Sequence, residues 1–126
     1  MRIIIMITMK ETTKPMLKGL GNDVIEVERI RESLKKHKSH FYEKLFTEKE
    51  IEYCLSHKDE APSFAGRFAA KEAIAKALKV GFGATLSWLD IEILNDELGC
   101  PHVSFSSKLN DALDSPKVLI SISHAK

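Results

Sequence analysis

Hydrophobic positions along this chain change period several times, and each change marks a predicted element. Residues 2–9, RIIIMITM, are almost continuously apolar and rich in β-branched side chains, which reads as a strand or an accessory tail. Residues 10–15 are polar and turn-like. GLGNDVIEV then reads as a short strand entered through Gly19 and Gly21, with Asp23 inside it. Ile30, Leu34, Phe41 and Leu45 recur at helical spacing, predicting an amphipathic helix over residues 28–45 whose outer face carries Arg31, Lys35, Lys36 and Lys38. Thr47 with Glu50 three positions later is a capping box, the start of a second short helix through Tyr53 and Leu55. Residues 59–63 read as a loop with Pro62 near the next helix start, and that helix runs to Lys79 before Gly81 and Gly83 break it. WLDIEIL and PHVSF are β-prone runs joined by NDELG, a hairpin with Gly99 placed for a positive φ. A short helix over residues 108–113 and a last strand, VLISIS, complete the chain and deliver His124 at the strand end. This order predicts an α+β domain, a mainly antiparallel sheet packed against a long buried helix.

The helix within residues 64–78, FAGRFAAKEAIAKAL, departs from the usual surface pattern. It holds four charges, Arg67, Lys71, Glu72 and Lys76, and no uncharged polar side chain. A helix apolar nearly all round is normally buried, and buried charges persist only when paired or when they hold an ionic ligand. At about 100° per residue, Glu72 and Lys76 share a sector with Ala65 and Ala69, while Arg67 and Lys71 lie in another flanked by Phe64, Ile74 and Leu78. One reading is an i,i+4 ion pair between Glu72 and Lys76 with the Arg67 and Lys71 stems snorkelling past the core. The other is a charged ligand held against the helix.

Composition narrows the function classes. The 126 residues make one domain with room for a core, and a net charge of +1 excludes a globally basic nucleic-acid binder. The basic residues are local: Arg29, Arg31, Lys35, Lys36, Lys38 and Lys44 face only Glu32 and Glu43 within residues 29–44. Aromatic residues do not interleave with them, so the face is a solvated surface or a dock for an acidic protein before it is a nucleic-acid contact. Cys54 and Cys100 have no metal or disulfide spacing and read as reduced thiols of a cytoplasmic protein. The opening apolar run is too short to span a bilayer and lacks the pattern of a signal peptide.

Asp23 and Glu72 are acids set inside otherwise apolar elements, and carboxylate oxygens suit a hard ion such as magnesium, which completes its shell with water and substrate phosphates. The structural alternative is that Asp23 caps a turn and Glu72 pairs with Lys76. Lys76, Arg67 and Lys71 would offset phosphate charge, and Gly81 and Gly83 would let backbone amides approach an anion. His37 and His40 have zinc-like spacing but no further ligand nearby, and Cys54 lacks the partners of a thiol nucleophile. His124 reads either as a phosphate contact or as a hydrogen-bonded edge histidine.

Several of these motifs in this order resemble one family, the holo-[acyl-carrier-protein] synthases among the 4'-phosphopantetheinyl transferases. GLGNDVIEVERI, FAGRFAAKEAIAKAL, the G-x-G after it, WLDIEIL with its hairpin, and SISH carry the resemblance from about Gly19 to the C-terminus. It implies transfer of the phosphopantetheine arm of coenzyme A to a serine of apo acyl carrier protein, in fatty acid biosynthesis, with release of adenosine 3',5'-bisphosphate. It further implies magnesium, or manganese in its place, on Asp23 and Glu72, and Lys76 on the diphosphate. Arg67, His124, Gly81 and Gly83 match coenzyme A contacts, and Arg29, Lys35, Lys36 and Lys44 match the carrier-protein surface. Members of the family resemble homotrimers with sites between subunits.

Two departures stand beside the resemblance. The family continues past the histidine with a further strand, whereas this chain stops at Lys126, and this chain carries an N-terminal extension over residues 1–15 ahead of the transferase domain at 16–126. The apolar run at 2–9 has the length of the missing strand, so the extension either replaces it or is disordered. Rival readings from the residues alone are a non-catalytic module that binds acidic proteins and a phosphoanhydride hydrolase using the same two acids.

Overall fold

The computed structural model describes residues 2–10, 17–113 and 117–125, without the side chains of residues 2–10, 17, 18, 23, 38, 39, 41, 117 and 123–125. Its elements are β1 (Arg2–Lys10), β2 (Leu17–Glu26), α1 (Val27–Leu45), α2 (Glu48–Leu55), α3 (Ala61–Leu78), a 3-10 turn (Trp88–Asp90), β3 (Ile91–Asn95), β4 (Pro101–Phe105), α4 (Ser107–Leu113) and β5 (Lys117–Ala125). They form a three-stranded sheet in the order β2-β1-β5 and a β3-β4 hairpin, all antiparallel. The class is α+β, with α3 as the long buried helix.

Residues 2–10 take the middle place in the larger sheet. Each residue from Arg2 to Lys10 has a register partner in β2 and another in β5: Ile3 faces Ile25 and His124, and Ile7 faces Gly21 and Ile120. The apolar run is therefore paired on both sides.

Local chemistry moves two boundaries from their expected places. The helix α3 begins at Ala61, so residues 61–63 are helix rather than loop; Pro62 sits in the first turn, where a missing N–H costs nothing. The first three residues of WLDIEIL wind into the 3-10 turn because Ser87 Oγ accepts the Leu89 N–H and Asp90 Oδ2 accepts the Ser87 N–H at 2.8 Å. Elsewhere the local signals hold. The capping box at Thr47 and Glu50 is formed in both directions, and Gly99 turns the hairpin at φ 85°.

The packing of β2 on α3 depends on absent side chains. A Cβ built on Gly19 would lie 2.3 Å from Ala77 O, and one on Gly21 would lie 2.0 Å from Ala73 O. Small residues on both elements thus let strand backbone rest directly on helix backbone. Around this contact Val27, Ile30 and Leu34 of α1, Phe46, Phe64 and Ile74, Leu86, Ile91, Ile93 and Leu109 close one core. Tyr42 stacks on Phe64 and Phe46 packs against the same ring at a tilt.

Asp90 ties the far end together. Its carboxylate takes the Ser87 N–H and, at 2.8 Å, the Ser106 hydroxyl, with Lys108 at 3.8 Å, while its carbonyl accepts the Ser106 N–H. Burial raises its pKa, but these donors outweigh burial and hold it below the ordinary carboxylate value.

Two outcomes follow from these contacts. Gly21→Ala forces a methyl into Ala73 O and is expected to cost about 3 kcal/mol in urea unfolding, at the upper end of overpacking effects. Because the folded-state pKa of Asp90 is depressed, its stabilisation is complete above the ordinary carboxylate value and is lost as pH falls through the folded value. Urea midpoints measured between about pH 6 and pH 2 should show wild type and Asp90→Asn converging at the acid end; a gap that stays constant would remove Asp90 from the acid response.

Candidate functional site

The four charges of α3 have separate fates. Lys71 is fully buried: its Nζ donates to Glu50 Oε1 at 2.7 Å, to Leu45 O at 2.7 Å and to Trp88 O at 3.0 Å. Glu50, equally buried, also accepts the Thr47 N–H through Oε1 and the Ile93 N–H through Oε2. Burial pushes the Lys71 ammonium below its ordinary pKa, countered by the Glu50 carboxylate. This corrects the expectation that Lys71 snorkels or clamps a phosphate, since all three of its donors are used inside the core. Glu50 is the residue the sequence hides. Its capping-box role accounted for an acid at that position, and nothing local signals a second partner 21 residues away.

Arg67 is 6% exposed and stays close to the surface of a cavity of about 230 Å³ that is also lined by Tyr53, His57, Ser63 and Asn95. Its guanidinium donates to Ile93 O at 3.0 Å, to Asn95 Oδ1 at 2.7 Å and to Ser63, and lies over the Tyr53 ring at 4.4 Å. The fork is held rigid by these partners at the cavity wall.

Glu72 is half-buried and Lys76 exposed, one helical turn apart on the face that meets β2. The Lys76 ammonium donates to Asn22 O at 3.2 Å. Asn22 is the neighbour of Asp23, whose backbone lies in β2 opposite Ile5. The structure therefore brings together the strand that carries Asp23 and the helix turn that carries Glu72 and Lys76; the glycine contact of β2 on α3 sets that approach. The Asp23 carboxylate and the His124 imidazole lie outside the described side chains, with His124 in β5 opposite Ile3. Oxygen donors on Asp23 and Glu72 suit a hard divalent cation rather than a soft one.

Beyond α3 the chain turns through Lys79, in the left-handed region at φ 61°, into the glycine loop. A Cβ on Gly81 would meet nothing within 4 Å, and the Gly83 N–H donates to Leu86 O at 2.8 Å. The loop is open on its outer side.

Of the basic face on α1, Arg29, Lys35, Lys36 and Lys44 are all exposed. Helical geometry sets Arg29, Lys36 and Lys44 on one sector and turns Lys35 toward Arg31, beside a groove shared with Lys58 and Asp59. Arg31 bonds Asp59 at 2.6 Å, which holds Asp59 below its ordinary pKa. Burial raises the Cys54 thiol to about 11, the behaviour of a core thiol rather than a nucleophile.

Comparison with known proteins adds to this geometry. Residues 19–118 match the family described as the 4'-phosphopantetheinyl transferase superfamily. The holo-[acyl-carrier-protein] synthase of Protochlamydia amoebophila is 54% identical over 86% of this chain and 89% of its own, and that of Chlamydia caviae is 48% identical over 85% and 87%. Among solved structures, holo-[acyl-carrier-protein] synthase from Neisseria meningitidis superposes with a TM-score of 0.71 at 32% identity, covering 79% of each chain. The Helicobacter pylori synthase in complex with coenzyme A superposes at 0.65 with 33% identity, covering 87% of this chain and 80% of that one.

Lys71→Met would leave the Glu50 carboxylate buried without its cation. Denaturant unfolding should show a loss of about 3–5 kcal/mol; a loss below about 1 kcal/mol would mean that the pair is not the fixed point its hydrogen bonds describe.

Proposed function

The chain belongs to the 4'-phosphopantetheinyl transferase superfamily, and we propose that its site transfers the 4'-phosphopantetheine arm of coenzyme A to a serine of apo acyl carrier protein. The products are holo carrier protein and adenosine 3',5'-bisphosphate, and the reaction serves fatty acid biosynthesis. The observation that carries the site assignment is the Lys76 ammonium on Asn22 O, one residue from Asp23 and one helical turn from Glu72.

Phosphoryl-type transfer asks little covalent work of a protein and much charge placement. Asp23 and Glu72 would hold magnesium, or manganese in its place. When bound, such an ion neutralises diphosphate oxygens and orients the bond to be broken. Lys76 faces the same strand, and its exposed ammonium is suited to charge that develops on the leaving bisphosphate. Gly81 and Gly83 would border the diphosphate, with Arg67 and His124 toward the nucleotide. Arg29, Lys35, Lys36 and Lys44 would receive the acidic carrier protein. Because α1 starts where β2 ends, that face begins only six residues after Asp23, so docking there would bring a serine near the reacting phosphate.

Sites shared between subunits of a homotrimer fit one further feature. Leu20, Val24 and Leu119 are each about half exposed on the face of the larger sheet away from α3, an apolar surface suited to a second copy of the chain. The transferase domain would span residues 16–126, with the 1–15 extension lending β1 to it in place of the family's further strand. The chain would work in the cytoplasm without nucleic acid or membrane. Among the described residues, no helix is long and apolar enough to cross a membrane.

Incubation with coenzyme A, magnesium and apo carrier protein should add the phosphopantetheine mass, lost on chelation and restored by magnesium. Glu72→Ala should lower turnover by at least about 100-fold with the fold intact by circular dichroism. Unchanged turnover would remove Glu72 from the site, and coenzyme A cleaved without carrier protein would favour the hydrolase reading.

A further inference from the structure

The loop after α3 is fastened more firmly than an exposed segment between two glycines needs to be. The Val80 N–H donates to Ala75 O at 3.1 Å, and the Gly83 N–H closes on Leu86 O. Between them the Phe82 ring lies flat on Trp88, with centroids 3.8 Å apart and planes 7° apart. Trp88 stacks in turn on Phe68 of α3 at 4.9 Å and 19°. The Trp88 carbonyl accepts the buried Lys71 ammonium at 3.0 Å, and the next two residues of its turn are pinned by Ser87 and Asp90. A continuous set of contacts thus runs from the Glu50–Lys71 pair through Trp88 to the tip of the glycine loop.

A glycine-flanked loop loses much backbone freedom when it closes around an anion, and ordering it beforehand lowers that cost. We propose that Phe82 is a positioning residue, and that the Phe68–Trp88–Phe82 stack holds Gly81 and Gly83 in the shape that receives the diphosphate of coenzyme A. The inference rests on the reading of this loop as the phosphate side of the site. The ring touches no reacting atom and acts only through the backbone on either side of it. A stacked aromatic contact of this kind suits the task, since Phe82 needs no hydrogen-bond partner in an exposed loop.

Steady-state kinetics with coenzyme A and apo carrier protein varied separately test this. Phe82→Ala should raise the KM for coenzyme A about 10-fold, leave kcat and the KM for carrier protein within about 2-fold, and Phe82→Tyr should restore wild-type values. Trp88 is the sole tryptophan, so a shift in its emission with unchanged far-ultraviolet circular dichroism reports that the stack, not the fold, has been lost. Gly81→Val supplies the second arm by placing a side chain where the anion would approach the backbone. If Gly81→Val raises the KM for coenzyme A and Phe82→Ala does not, the positioning role is overturned while the loop assignment stands. If neither variant raises it, both fall. Equal rises in the two KM values for Phe82→Ala would also overturn the proposal, since a general loss of order would explain them.

Discussion

The Lys71–Glu50 pair is the constraint on which the rest of the structure depends. Five hydrogen bonds meet there and tie the end of α1 at Leu45, the start of α2 at Thr47, α3 itself, the 3-10 turn at Trp88 and β3 at Ile93. Desolvating two charges offsets most of their attraction, so such a pair adds little net stability over an apolar filling. Its force lies in what it forbids. Any slip of α3 along its axis would strand a charge in the core, and the backbone groups at Leu45, Trp88 and Ile93 would lose partners they cannot replace there.

With one side of α3 fixed in that way, its other side is set by sterics. Gly19 and Gly21 press strand backbone onto Ala73 and Ala77, a contact that only small residues permit. The two constraints act on opposite faces and leave one sector, that of Glu72 and Lys76, at the boundary with β2. Rigid elements thereby hold these two side chains at a defined place. This arrangement suits electrostatic catalysis, in which charges placed beforehand need not reorganise as the reaction proceeds. Phe82 and Trp88 extend the same logic from helix to loop, because they carry the position of a buried carbonyl contact out to exposed backbone.

Much of this was legible in the chain because the signals were local. Helical spacing placed Glu72 and Lys76 one turn apart on a common sector, the capping box at Thr47 and Glu50 formed as read, and Gly99 took its positive φ. The ordered motifs from Gly19 onward carry the resemblance to the family whose model matches residues 19–118. Errors also had local causes: Pro62 tolerates the first helical turn as readily as a loop, and Ser87 with Asp90 winds a β-prone run into a 3-10 turn. Lys71 was harder to place, because the charge that explains it is supplied by another helix.

The sequence by itself determined periods, caps and turns, and through its motifs the family and the reaction, since these depend on residues within a few positions of one another. Tertiary structure alone decided which distant groups meet. It buried Glu50 against Lys71, set Asn22 beside Lys76 across 54 residues, stacked Phe82 on Trp88, and put β1 between β2 and β5. The physical reason is that period shows which face of an element is apolar but not what will cover it. A charge or a strand edge finds its partner only when the whole chain has closed around it.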